Sequence, residues 1–141
     1  MTTRRELILA DIATRLASAP SIGAPVYRSR VTPMARGETP AVIVEPVQDS
    51  ASQPVIPKLD WMLTVRVSVI VRASIPDQAA DSILQAIHTK MTADLTLGGL
   101  AYDVQPTSTA WEFVESDVPT GMITYDFMVL YRTALQDLTQ E

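Results

Sequence analysis

Between Lys58 and Ala73 apolar and polar residues alternate with a period of two, setting Trp61, Leu63, Val65, Val67, Val69 and Val71 against Met62, Thr64, Arg66, Ser68, Ile70 and Arg72. Successive side chains of a strand point to opposite faces, so this stretch predicts a long strand with one face in the core. Met122 to Thr133 repeats the pattern: Ile123, Tyr125, Phe127, Val129 and Tyr131 share one face, after a turn at Pro119-Thr120-Gly121. Ala41-Val42-Ile43-Val44 does not alternate, and such a run is expected of a strand buried on both faces. Val26 to Arg30 is a short β-like run ahead of a loop carrying Pro33, Gly37 and Pro40. Leu100 to Val104 reads as a brief strand ending before Pro106, and Ala110 to Glu115 alternates weakly through Trp111 and Phe113.

Two segments follow the helical period instead. Thr3-Arg4-Arg5-Glu6 has the spacing of a capping box, and Leu9, Ile12, Ala13, Leu16 and Ala19 then recur on one face until Pro20 and Gly23 end the helix. Ile75-Pro76-Asp77 opens a second helix, because proline suits the first turn and an acidic side chain suits the positive end of the helix dipole. Its core stripe is Ala80, Ile83, Leu84, Ile87 and Met91. The order predicts an α+β fold, a mostly antiparallel sheet with two helices packed on one face, formed by residues 1–141 as one domain. Pro46 to Pro57 is polar and bounded by prolines. It reads as a long loop, and loops of that length in compact domains usually carry function, here as an assembly arm.

Composition narrows the classes of function. A chain of 141 residues with 47% hydrophobic residues can bury a core unaided, and its lack of cysteine removes disulfides, thiolate metal sites and a cysteine nucleophile. The net charge of −5 has the wrong sign for neutralising phosphates, so specific nucleic-acid binding is not expected. No apolar run reaches the length of a membrane span. Asp11 and Arg15 interrupt the apolar stretch after Arg4 and Arg5 before it reaches signal-peptide length, and the cytoplasm is the expected compartment of folding.

Catalytic chemistry finds little support. His88, the only histidine, falls at the edge of the second helix's apolar stripe with no obvious partner. Glu112, Glu115 and Asp117 beside Trp111 and Phe113 superficially resemble a carboxylate pair near a sugar-stacking ring, or ligands for a hard cation. Carboxylates so close in sequence are more simply an exposed or inter-subunit acidic face. Gly98-Gly99 lacks the lysine and hydroxyl residue of a phosphate-binding loop and reads as a turn. Trp61 and Trp111 read as core or partly buried rings. Only Arg66 and Asp126 are polar groups at strand centres able to face an internal pocket. An enzyme is disfavoured, and no cofactor or metal ion is called for. The residues expected at an interface are Arg28, Arg30 and Arg36, with Asp49, Ser50 and Gln53 from the polar segment and Glu112 and Glu115 from the acidic one.

Taken in order, Arg5-Glu6-Leu7 opening a helix, Val26-Tyr27-Arg28, Pro40 to Val44, the strand to Ala73, the helix from Asp77 to Met91, Leu97-Gly98-Gly99-Leu100 and the terminal Leu130-Tyr131-Arg132-Thr133 form a succession covering nearly the whole chain. It resembles the phage tail terminator family, the minor tail protein U type. The resemblance implies a structural virion protein, assembled in the host bacterial cytoplasm, that closes into a homo-oligomeric ring, usually a hexamer. Such a ring caps the completed tail tube, stops its polymerisation and presents a surface for head–tail joining. Its implied partners are the major tail tube protein and head–tail connector proteins, with DNA passing through the ring. A head–tail connector or tail-completion protein of the neck, or a small ligand-binding α+β domain, are the alternatives.

Overall fold

The computed structural model describes residues 2–29, 39–115 and 117–139. Helix α1 (Arg4–Ala17) begins at Thr3, whose Oγ1 accepts from the Glu6 amide at 3.2 Å. Only this half of the expected capping box forms, because the Glu6 carboxylate turns to Arg28. Ile8, Leu9, Ile12 and Leu16 are its buried residues, so the apolar stripe includes Ile8 and stops before the exposed Ala19. Five strands follow: β1 (Val26–Arg28), β2 (Ala41–Val55), β3 (Lys58–Arg72), and, after helix α2 (Pro76–Thr92), β4 (Asp103–Val114) and β5 (Thr120–Ala134).

The strands form one sheet in the order β1-β2-β3-β5-β4, with β1 parallel to β2 and every other pair antiparallel. β3 and β5, the two strands with the clearest alternation, lie side by side at its centre, paired from Lys58↔Ala134 to Arg72↔Thr120. Both helices cover the same face: α1 lies over β1 and β2, α2 over β3, β5 and β4, and the two touch each other. Their stripes meet Val42, Val44, Leu63, Val65, Val67, Val69, Ile123, Phe127 and Val129 in one core. The α+β architecture expected from the pattern is the one observed.

Two segments differ from the sequence reading. Pro46 to Pro57 is not a loop. β2 continues through Val55 and returns into β3 through a tight turn at Ile56 and Pro57, with register shifts after Pro46 and after Ser52. Beyond Val44 nothing described pairs with the outer side of β2, so a proline that lacks an N–H leaves no ladder bond broken there. Likewise Leu100 to Val104 and Ala110 to Glu115 are not two short elements. One strand, β4, runs through Pro106 on the opposite edge, again with a register shift beside the proline.

Gly121 shows how α2 is seated. It is a buried strand residue, and a Cβ placed on it would stand 2.6 Å from Cβ of Pro76, the first residue of α2. The absence of a side chain lets the start of the helix rest on the sheet.

Candidate assembly surfaces

No described element packs over the second face of the sheet. Its central rows carry ion pairs between neighbouring strands: Arg66 grips Asp126 through two bonds of 3.0 and 3.2 Å, and Arg132 grips Asp60 at 2.6 and 3.3 Å. Arg66 and Asp126 therefore do not face an internal pocket; register places them together on the outer face, and the hydrogen bond to Asp126 raises the guanidinium pKa. Between and beyond these pairs lie Met62, Met122, Met128, Leu130 and Ile70. The result is a mixed face, on which these apolar side chains stand among Thr64, Ser68, Thr124 and Gln105 and the central charges are paired with neighbours, which lowers the cost of covering it.

The expected interface residues scatter. Arg28 pairs with Glu6 of α1 at 2.5 Å, tying β1 to the helix layer rather than to another chain. Arg30 and Arg36 lie outside the described residues. Asp49 points to the helix side of β2, where its side chain is 9% exposed. It accepts from Arg5 Nε at 2.6 Å and, through a very short bond, from the Tyr131 hydroxyl, so it is an internal anchor and not an exposed contact. Ser50 is half-buried and accepts from the Gln48 amide at 3.2 Å, while Gln53 is exposed on the β2 edge. Glu112 and Glu115 are exposed at the end of β4, as read.

The anchor at Asp49 extends further. Arg5 stands 5.2 Å over the ring of Trp61, Trp61 lies beside Tyr131 across the strand pair, and its Nε1 donates to Thr133 at 2.9 Å. Together these bonds fix the start of α1 to the β2 and β5 ends of the sheet. The second oxygen of Asp49 is buried and meets no partner among the described residues. Burial, and then the bond to Asp49, raise the pKa of the Tyr131 phenol well above its usual range. A folded pKa above the unfolded value contributes stability that is complete below about pH 10 and is lost as pH rises beyond it. Tyr131→Phe is therefore expected to cost about 1–2 kcal/mol at neutral pH and to flatten the alkaline fall in stability, with a remainder from Tyr102 and Tyr125, also raised by burial. Urea melts from pH 8 to 11.5 test this, and an unchanged alkaline slope would contradict it.

Other candidates resolve into structural roles. His88 Nδ1 lies 2.6 Å from the Tyr125 hydroxyl, a pairing that fastens α2 to β5. Leu97, Gly98 and Gly99 have positive φ in a turn organised by Asp94, which accepts from the amides of Thr96 and Gly98. Among the described residues no three His, Asp or Glu are grouped to hold a metal ion, and no helix is long and apolar enough to cross a membrane.

Trp111 departs from its reading as a core or partly buried ring: it is 53% exposed, Phe113 55% and Val114 57%, with Val118 also exposed. Four large apolar side chains thus crowd the β4–β5 hairpin. The sequence signal was their company with Glu112, Glu115 and Asp117, since an apolar strand amid acids is poorly suited to a core. Compared with known proteins, the chain matches no family model. No curated protein matches it either.

Proposed function

We propose that the chain is a structural subunit that works by assembling with copies of itself, as the tail terminator that closes a phage tail tube in a ring and readies it for head joining. The observation that carries this reading is the exposed apolar hairpin, together with the sheet face that no described helix covers, whose central charges are already paired and which is buried only around Ala41, Ile43 and Ser68. Clustered exposed apolar side chains such as those of the hairpin mark sites of protein contact. Both outer edges of the sheet, β2 beyond Val44 and all of β4, also lack a strand neighbour among the described residues. Prolines at Pro46, Pro54 and Pro106 blunt those edges against indiscriminate strand pairing, which leaves side-chain surfaces as the means of contact.

The role is tested by adding the purified chain to polymerising tail-tube protein encoded beside its gene. Tubes are expected to stop short, with a cap at one end in electron micrographs. Binding to the head–tail connector but not to tubes would move the protein to the neck. Unaltered tubes and no binding to either would overturn the reading.

A further inference from the structure

The end of the β4–β5 hairpin carries apolar side chains on both sides, with Glu112 beside Val114 on the outer one. Register sets Trp111 and Phe113 on the helix side of β4, opposite Ile123 and Gly121, and Val114 on the other, opposite Thr120. A surface laid against a flat partner needs only one apolar side, whereas a segment enclosed by its partner needs two. Glu112 and Glu115 flank these residues and are exposed. The same chain carries a groove of about 370 Å³ where the end of α1 meets the second half of α2. Its walls are Ala19, Pro20, Ala86 and Ala93, small apolar residues that leave room for a larger side chain. Its volume lies within the roughly 300–1,000 Å³ of sites that enclose ligand groups.

Charge matches as well as shape. At the groove Lys90 donates to the carbonyls of Ser18 at 2.6 Å and Arg15 at 3.4 Å, and among the described residues its ammonium meets no carboxylate. Arg15 is paired with Asp11 and lies near Asp94, so the cation that the groove lining offers to the acids of a hairpin is Lys90. Hairpin and groove lie on opposite sides of α2: Trp111 neighbours Leu84 and His88, whereas the groove uses Ala86, Thr89 and Lys90. One chain cannot fill its own groove by a local movement across that helix.

We propose that the β4–β5 hairpin of one copy seats Trp111 and Phe113 in the α1–α2 groove of the next, giving a heterologous lateral contact. Repetition of such a contact closes a ring or runs into a filament, and rests here on the self-assembly reading above. Trp is a favoured anchor of contacts of this kind, and burial between Glu115 and Lys90 adds orientation.

The absence of cysteine makes the test direct. Val114→Cys and Ala93→Cys, both at exposed positions, are prepared separately in the full chain, mixed and oxidised. The mixture is expected to form a disulfide between the two variants that neither forms alone, and Trp111→Ala is expected to weaken self-association about thirtyfold while leaving the melting temperature nearly unchanged at dilutions where both proteins are dissociated. Efficient crosslinking of Val114→Cys with itself would overturn the proposal in favour of a two-fold hairpin contact. A ring that persists with full affinity in Trp111→Ala and gives no mixed disulfide would also overturn it, leaving the ring intact. Monomers of the unsubstituted chain at every concentration would remove the self-assembly reading and the proposal together.

Discussion

Ile83→Asp is expected to leave the protein unfolded or aggregated, while Gln85→Asp two positions away keeps a near-normal melting temperature. Ile83 is 5% exposed on the stripe of α2 that faces the core, and Gln85 is exposed on the opposite side. An aspartate at the first position loses the packing of a buried isoleucine, about 2–5 kcal/mol, and places in the core a carboxylate with no cation to meet it, several kcal/mol more. Together they equal most of the ~5–15 kcal/mol by which a domain of this kind is stable. At the second position only a weak 3.3 Å bond to Thr89 is lost, in water. Circular dichroism melts decide it, and equal midpoints would show that α2 presents another face to the sheet.

Gly121→Ala is the second large effect. The added methyl would stand 2.6 Å from Cβ of Pro76, closer than non-bonded carbons approach. Pro76 cannot yield by changing rotamer, since that atom belongs to a ring fused to the backbone. The start of α2 must therefore lift from the sheet, at a cost of about 1–3 kcal/mol or more. That corresponds to a fall of several degrees in the melting midpoint for a domain this size. At Gly99 a Cβ meets nothing within 4 Å, but φ is +94°, so Gly99→Ala is destabilised by backbone conformation alone and leaves the helix seat untouched. Amide exchange separates the two: Gly121→Ala is expected to loosen the first turn of α2, and equal protection there in both variants would contradict the close approach.

What the sequence revealed depended on whether a segment's partners impose a pattern. β3 and β5 are central, with one face against the helices, and their alternation from Trp61 to Val71 and from Ile123 to Tyr131 was legible for that reason. β2 beyond Val44 and most of β4 are edges with little buried surface, so their residues need not alternate and their prolines break nothing. Prolines and polar side chains also mark turns, so Pro46 to Pro57 reads as a loop and β4 as two pieces around Pro106, although both segments are strand. The candidate surfaces were legible only in part. Glu112 and Glu115 are exposed where expected, but Arg28 with Glu6, and Asp49 with Arg5 and Tyr131, join positions far apart in sequence that no local spacing announces. Trp111 reads as core or partly buried because large aromatic rings usually are; its exposure of 53% follows from lying on an edge strand at the margin of α2.

The Arg66–Asp126 and Arg132–Asp60 pairs are partly exposed, so in a lone subunit each adds little to stability. Their larger effect is expected in assembly, where removing one partner leaves a charge uncompensated under a covering chain.

The central claim, that the chain functions as a closed self-assembly, is tested most directly by its mass in solution across a range of concentrations, read with negative-stain images of the same sample. One discrete closed species is expected, seen as a ring with a central hole. A monomer at all concentrations, or an open series of sizes without a closed form, would contradict it.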